Sequence, residues 1–153
     1  TRDNYRDDRM EELLTDAGIT LLEDETVLID NAFYLSGRLD RQKPLTEDGQ
    51  RLSPQELLSD LDPSKPIIVM DHQPKELQEL SDAGADLDLC GHTHDGQIFP
   101  GNLTVKLFWE NACGYLKKDQ MHNIVTSGVG VWGPAMRVGT QSEICEITVH
   151  FSP

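Results

Sequence analysis

Two imidazoles stand two residues apart in the stretch Cys90-Gly91-His92-Thr93-His94-Asp95-Gly96-Gln97. They follow a mostly apolar run, Leu87 to Cys90, and a glycine. A short apolar run bounded by glycine and polar residues reads as a buried strand that ends in a turn. Imidazole is the commonest metal ligand and suits zinc, iron, copper or nickel. On its own, an H-x-H pair reads equally as two polar loop residues. His72, in Asp71-His72-Gln73-Pro74, follows a second apolar run, Ile67-Ile68-Val69-Met70. Between the two runs, Leu77, Leu80 and Ala83 predict the inner face of a helix over 75–83, closed by Gly84. The pattern is a β-α-β unit with neighbouring strands. In open α/β sheets ligands bind outside the carboxyl ends of the strands. His72, His92 and His94 therefore share one rim, and metal binding becomes the preferred reading. His122, after a charged turn, and His150, on the outward face of a terminal strand pattern, read as non-ligands.

The remaining elements frame that unit. Met10, Leu13, Leu14 and Ala17 recur at helical spacing, with Asp7, Asp8, Glu11 and Glu12 on the wet side and Gly18 at the C′ position. Short strands are expected at 19–22, 26–29 and 32–36, with Asp30-Asn31 as a two-residue hairpin turn. Residues 38–52, with Pro44 and Asp48-Gly49, read as a loop. Ser53-Pro54-Gln55-Glu56 is a capping box with proline at N1, so a helix starts there, with Leu57, Leu58 and Leu61 inward. Residues 96–119 show no clean period and read as a packed loop. A strand is expected over 121–127, then a glycine-rich loop. A final strand has Cys145, Ile147, Val149 and Phe151 inward.

Length and composition suit a single α/β domain over 1–153, with no linker or repeat. Of its 153 residues, 37% are hydrophobic and 26% charged, a folded rather than disordered composition. The net charge of −14 gives no basic surface for nucleic acid, although bound cations can still recruit a phosphate ester. No run reaches the ~18–20 apolar residues of a membrane span. Cys90, Cys113 and Cys145 fit neither a disulfide framework nor a C-x-x-C zinc site, and Cys90 and Cys145 are expected as buried free thiols.

Val69-Met70-Asp71-His72-Gln73-Pro74, Gly91-His92-Thr93-His94-Asp95-Gly96-Gln97 and Ser127-Gly128-Val129-Gly130-Val131-Trp132-Gly133-Pro134 together resemble the calcineurin-like metallophosphoesterases. The likeness is strongest to a bacterial branch with a G-H-T-H-G-G-Q motif, whose full-length members often carry an N-terminal membrane or export segment. It runs from Asp3 to Val149. The resemblance implies a β-sandwich flanked by helices, with two divalent ions (Mn, Fe or Zn) that activate water for attack on phosphorus. It also implies His72 and His92 as ligands of the second metal and His94 as a ligand of the first. Asp95 stands where this branch has glycine, and its carboxylate is expected to face solvent.

The family's D-x-H, G-D-x-x-D and G-N-H-[DE] motifs do not occur in the chain. The chain is therefore expected to be the C-terminal part of a larger phosphoesterase domain. Three neutral imidazoles do not balance two dications, so it should hold at most one metal well and hydrolyse phosphate mono- or diesters weakly or not at all by itself. Uncovered strands would favour self-association, and membrane contact would come only through segments outside this chain. A different class, a non-catalytic phosphoesterase-like binding scaffold, remains the alternative. A structural zinc protein ranks last for want of a fourth ligand.

Overall fold

A computed structural model describes residues 8–41 and 51–151. Much of the expected 38–52 loop, as well as Asp7 and the side chain of Asp8, lies outside these described residues. The order is α1 (Asp8–Asp16), β1 (Glu25–Ile29), β2 (Phe33–Gly37), α2 (Pro54–Leu58), β3 (Ile67–Met70), α3 (Leu77–Asp82), β4 (Leu87–Cys90), a short α4 (Gly101–Thr104), β5 (Gly114–Lys118) and β6 (Met121–Val125). The six strands form one mixed sheet in the order β1-β2-β3-β4-β6-β5. The four central strands are parallel, and each edge strand pairs antiparallel with its neighbour. The architecture is α/β, and among the described residues there is one sheet.

Local signals explain where several elements start and stop. Ser53 Oγ accepts from the Glu56 N–H while the Glu56 carboxylate accepts from the Ser53 N–H, which completes the capping box. At the end of α1, Gly18 takes a φ of +76°, and the N–H groups of Gly18 and Ile19 reach back to Thr15 and Leu14. This is the Schellman arrangement, which a left-handed glycine allows. Between β1 and β2, Asp30 and Asn31 both have positive φ, as the hairpin reading requires, although three residues separate the strands.

One sheet face carries the core. Leu57 and Leu58 from α2 and Leu77 and Leu80 from α3 pack on Ile67, Val69 and Met121. On the opposite face Ile68 and Leu87 are buried, whereas Met70 is exposed. Residues 144–151 lie across part of that face and leave a cavity of about 450 Å³, lined among others by Ile68, Leu87, Ile124, Ile147 and Val149.

Five sequence expectations need correction, the first being the strand at 19–22, which does not form. Residues 141–151 form no strand, and Cys145, Ile147, Val149 and Phe151 are exposed. Alternation marks a surface that suits pairing, but a strand also needs a neighbouring ladder. The segment is held instead by Glu143, which accepts from the Ser127 N–H at 2.7 Å and from Thr126 Oγ1 at 3.1 Å. Cys145 is consequently exposed, Cys113 half-buried and only Cys90 buried. In α1, Met10 and Leu13 are exposed, so the apolar stripe is not a buried face. Finally, 96–119 is not wholly irregular, because it contains α4 and β5.

Candidate functional site

The parallel register of β3 and β4 pairs Met70 with Leu89, so both strands deliver their next residues to one rim. Hydrogen bonding continues past the strand ends. The Asp71 N–H donates to Leu89 O at 3.0 Å, and the Gly91 N–H donates to His72 O at 3.1 Å. This lacing sets His72 directly beside His92. His92 Nδ1 lies 3.0 Å from His72 Nε2, and the rings meet edge to face with centroids 4.9 Å apart.

His94 stays on the same turn but bonds elsewhere. Arg137 Nη1 donates to His94 O at 3.0 Å, and Nη2 lies 3.4 Å from His94 Nδ1. The same guanidinium donates to the carbonyls of Ser127, Gly128 and Gly130 at 2.6–3.1 Å, tying the loop after β6 to the histidine turn. Burial lowers the pKa of both His92 and His94. The neighbouring His72 adds to the effect at His92, and the Arg137 charge adds to it at His94. Neutral imidazoles retain a lone pair for a metal.

Two bonds of ~2.0–2.1 Å to one ion place adjacent imidazole nitrogens roughly 3–3.4 Å apart. The 3.0 Å His72–His92 spacing fits such a pair. Among the described residues no group of three or more His, Cys, Asp or Glu side chains gathers with metal-holding geometry. The structure thus brings together His72 and His92, with His94 beside them but turned to Arg137. His122 lies away from the site, with Nδ1 3.0 Å from the Tyr115 hydroxyl.

The turn itself is held in an unusual backbone. His92, His94, Asp95 and Gln97 all have φ between 49° and 69°. Gly96 packs so closely on Gly101 that a Cβ would fall 2.3 Å from the Gly101 carbonyl carbon. Three clamps hold the turn: Thr93 Oγ1 donates to Ala112 O, the Gln97 amide exchanges hydrogen bonds with the Trp132 backbone, and Arg137 grips His94.

Several neighbours escaped the sequence reading. Asp71 is buried and accepts from Arg38 Nη1 at 3.2 Å, from both terminal nitrogens of Arg51, and from the Gln73 N–H at 3.2 Å. Glu76 joins from the start of α3, 2.9 Å from Arg38 Nη1. This ion cluster lies directly behind His72. On the other side, the Trp109 ring meets His92 with centroids 5.3 Å apart, and Lys75 Nζ sits 5.0 Å from the Trp109 centroid. The only sequence signal for these groups was adjacency, since Asp71 and Lys75 flank the His72 motif.

The chain is 46% identical over 85 residues to an uncharacterized metallophosphoesterase of Helicobacter pylori strain J99, a stretch covering 54% of this chain and 23% of that protein. It is 31% identical over 146 residues to an uncharacterized metallophosphoesterase of Aquifex aeolicus, covering 90% of this chain and 53% of that protein. A zebrafish transmembrane protein with metallophosphoesterase domain is 38% identical over 89 residues, covering 55% of this chain and 20% of that protein. The matched stretches span between about a fifth and about half of these relatives' own lengths. No family model and no solved structure matches the chain. The names of the relatives support the metallophosphoesterase family, with the hydrolase activity and divalent metals that the family name implies.

Proposed function

We propose that this chain supplies the histidine part of a metal-dependent phosphoesterase site that hydrolyses a phosphate mono- or diester. The observation that carries the reading is the 3.0 Å approach of His92 Nδ1 to His72 Nε2 at the carboxyl rim of the sheet. His72 and His92 would hold one divalent ion through those nitrogens, and His94 would join once its ring leaves Arg137. A divalent ion held there lowers the pKa of a water and neutralises charge on the phosphoryl oxygens. The Arg38–Asp71 pair fixes the backbone that carries His72, and Gln97 and Arg137 fix the turn that carries His92 and His94. The chemistry of the donor set points to further oxygen ligands from outside the chain, because neutral imidazoles leave the charge of a second dication unbalanced. In a sandwich, the second sheet would pack on the face that residues 144–151 only partly cover.

Calorimetric titration of the purified chain with Zn²⁺ or Mn²⁺ tests the reading. One ion per chain is expected, with affinity falling by more than ~10-fold in either His72→Ala or His92→Ala, since even outer-shell losses cost that much. Absence of binding that depends on His72 would refute it. Little turnover of a chromogenic phosphodiester is expected from the chain alone, and vigorous metal-dependent hydrolysis would contradict the incomplete-site reading. The absence of a third gathered ligand among the described residues favours one competitor, a non-catalytic scaffold. That competitor predicts no stoichiometric metal.

A further inference from the structure

A groove of about 310 Å³ opens beside the His72–His92 pair, its lining including Arg41, Lys75, Glu76, Phe108, Trp109 and Glu110. One end is the metal-facing rim, because the Trp109 ring lies 5.3 Å from the His92 ring between centroids. The floor is aromatic: Trp109 is half-buried, and next to it Phe108 is 80% exposed. The charges in the groove are unequal. Glu110 is paired with Lys118 at 2.7 Å, and Arg41 is paired with Glu76. Among the described residues Lys75 forms no ion pair, and its ammonium rests 5.0 Å from the Trp109 centroid. A cation so placed is attracted to the ring face but gains more from an anion. On a chain of net charge −14, it is a local positive point beside the rim. The volume sits at the small end of ligand pockets and suits one ring with its phosphate rather than a long acyl chain.

We propose that this groove is a substrate subsite that takes the organic group of a phosphate ester, selecting a flat ring stacked on Trp109 while Lys75 pairs with the ester's negative charge. The proposal rests on the phosphoesterase reading of His72 and His92. The ring replaces the ammonium on the Trp109 face, and the ammonium swings to the phosphate. Phe108 supplies the second apolar contact.

Phenylphosphonate and methylphosphonate test this, because they share a head group, differ in the ring and contain no ester to hydrolyse. Each is titrated into the full chain, with and without Mn²⁺, by calorimetry and by the Trp109 indole N–H resonance, assigned through Trp109→Leu. Phenylphosphonate is expected to bind about fivefold tighter than methylphosphonate. Trp109→Leu should bring that ratio close to one, while Trp109→Phe keeps most of it. Lys75→Gln should weaken both ligands by about threefold and leave the ratio intact. The ratio is read within each variant, so a general loss of stability does not mimic the result. Equal binding of the two phosphonates, or a preference that survives Trp109→Leu, overturns the proposal. Metal titration separates the two readings. If the chain holds no metal yet phenylphosphonate still shifts the Trp109 indole with its preference intact, the metal reading falls and the subsite stands. If metal binds at His72 and His92 without a ring preference, the subsite falls alone.

Discussion

Replacing Asp88 by Asn is expected to stabilise the chain near neutral pH and to change little near pH 4. Asp88 is fully buried in β4. Its Oδ2 accepts from Asn123 Nδ2 at 2.9 Å and from Cys90 Sγ at 3.2 Å, while Oδ1 has no partner. Burial is the main reason its pKa rises to about 6, and the Asp71 charge adds to the rise. The bonds from Cys90 and Asn123 and the charge of Arg38 work against it. A carboxyl whose folded pKa exceeds its unfolded value near 3.9 keeps its proton longer in the folded chain. The stabilisation it gives is complete below about pH 4 and is lost as pH rises through about 6. A shift of about two pH units corresponds to roughly 3 kcal/mol. Asn keeps the shape and an acceptor oxygen but has no charge to desolvate. The stability difference between variant and parent should therefore grow by about 2 kcal/mol between pH 4 and pH 7. Urea unfolding at half-unit pH steps measures it through the transition midpoint at constant slope. A difference that is flat with pH, or largest in acid, would show that the Asp88 carboxylate is solvated or compensated and would refute the reasoning.

Asp71→Ala should cost about 3–5 kcal/mol, because it leaves Arg38 and Arg51 without their shared buried carboxylate. At this size that is a fall in Tm of roughly 6–20 °C, and a loss below ~1 kcal/mol would show the cluster to be solvated. Thiol labelling of the native chain should modify the exposed Cys145 first, then Cys113. Cys90 should react only on unfolding, because burial and the Asp88 carboxylate push its thiol up; fast native labelling of Cys90 would contradict its placement. Asp95→Gly should be neutral or stabilising within ~1 kcal/mol and leave metal affinity unchanged, because φ is +49° there. A large loss of metal affinity would make the carboxylate a ligand. We also propose that the chain self-associates through its partly covered sheet face, where Met70 is exposed; sedimentation at rising concentration should show dimers or larger species, and a clean monomer would count against it.

How much of the molecule was readable depends on how local each cause is. β3, β4 and α2 were legible because continuous apolar runs and a capping box carry their own boundaries. His72 and His92 were legible because a β-α-β unit fixes which ends of its strands share a rim. The terminal alternation at 145–151 misled, because periodicity describes one segment whereas a ladder needs two. The stripe on α1 misled for a similar reason: it shows that a face is apolar, not that anything covers it. Arg38, Asp71 and Arg137 were invisible as a set, since their partners lie 33 and 43 residues away. Sequence reasoning that located the histidines had no local signal for the residues that hold them.

The histidine turn shows why that second group matters. Four of its non-glycine residues sit in the left-handed region, where a side chain typically costs of order 1–3 kcal/mol. Local preference alone would relax such a turn. It persists because distant parts of the chain pin it: Ala112 through Thr93, Trp132 through Gln97, and the loop after β6 through Arg137. Ala112 lies just before β5, and Trp132 and Arg137 both lie in the segment after β6, so the backbone strain is offset by tertiary bonds from two loops rather than by the turn's own sequence. The 3.0 Å approach of His92 to His72 is made from a turn held in this way, and if the pair takes an ion as proposed, less ordering entropy opposes binding. The clamps therefore belong to the candidate site as much as the imidazoles do: under the metal reading proposed above, loosening Gln97 or Arg137 should lower metal affinity without removing a histidine.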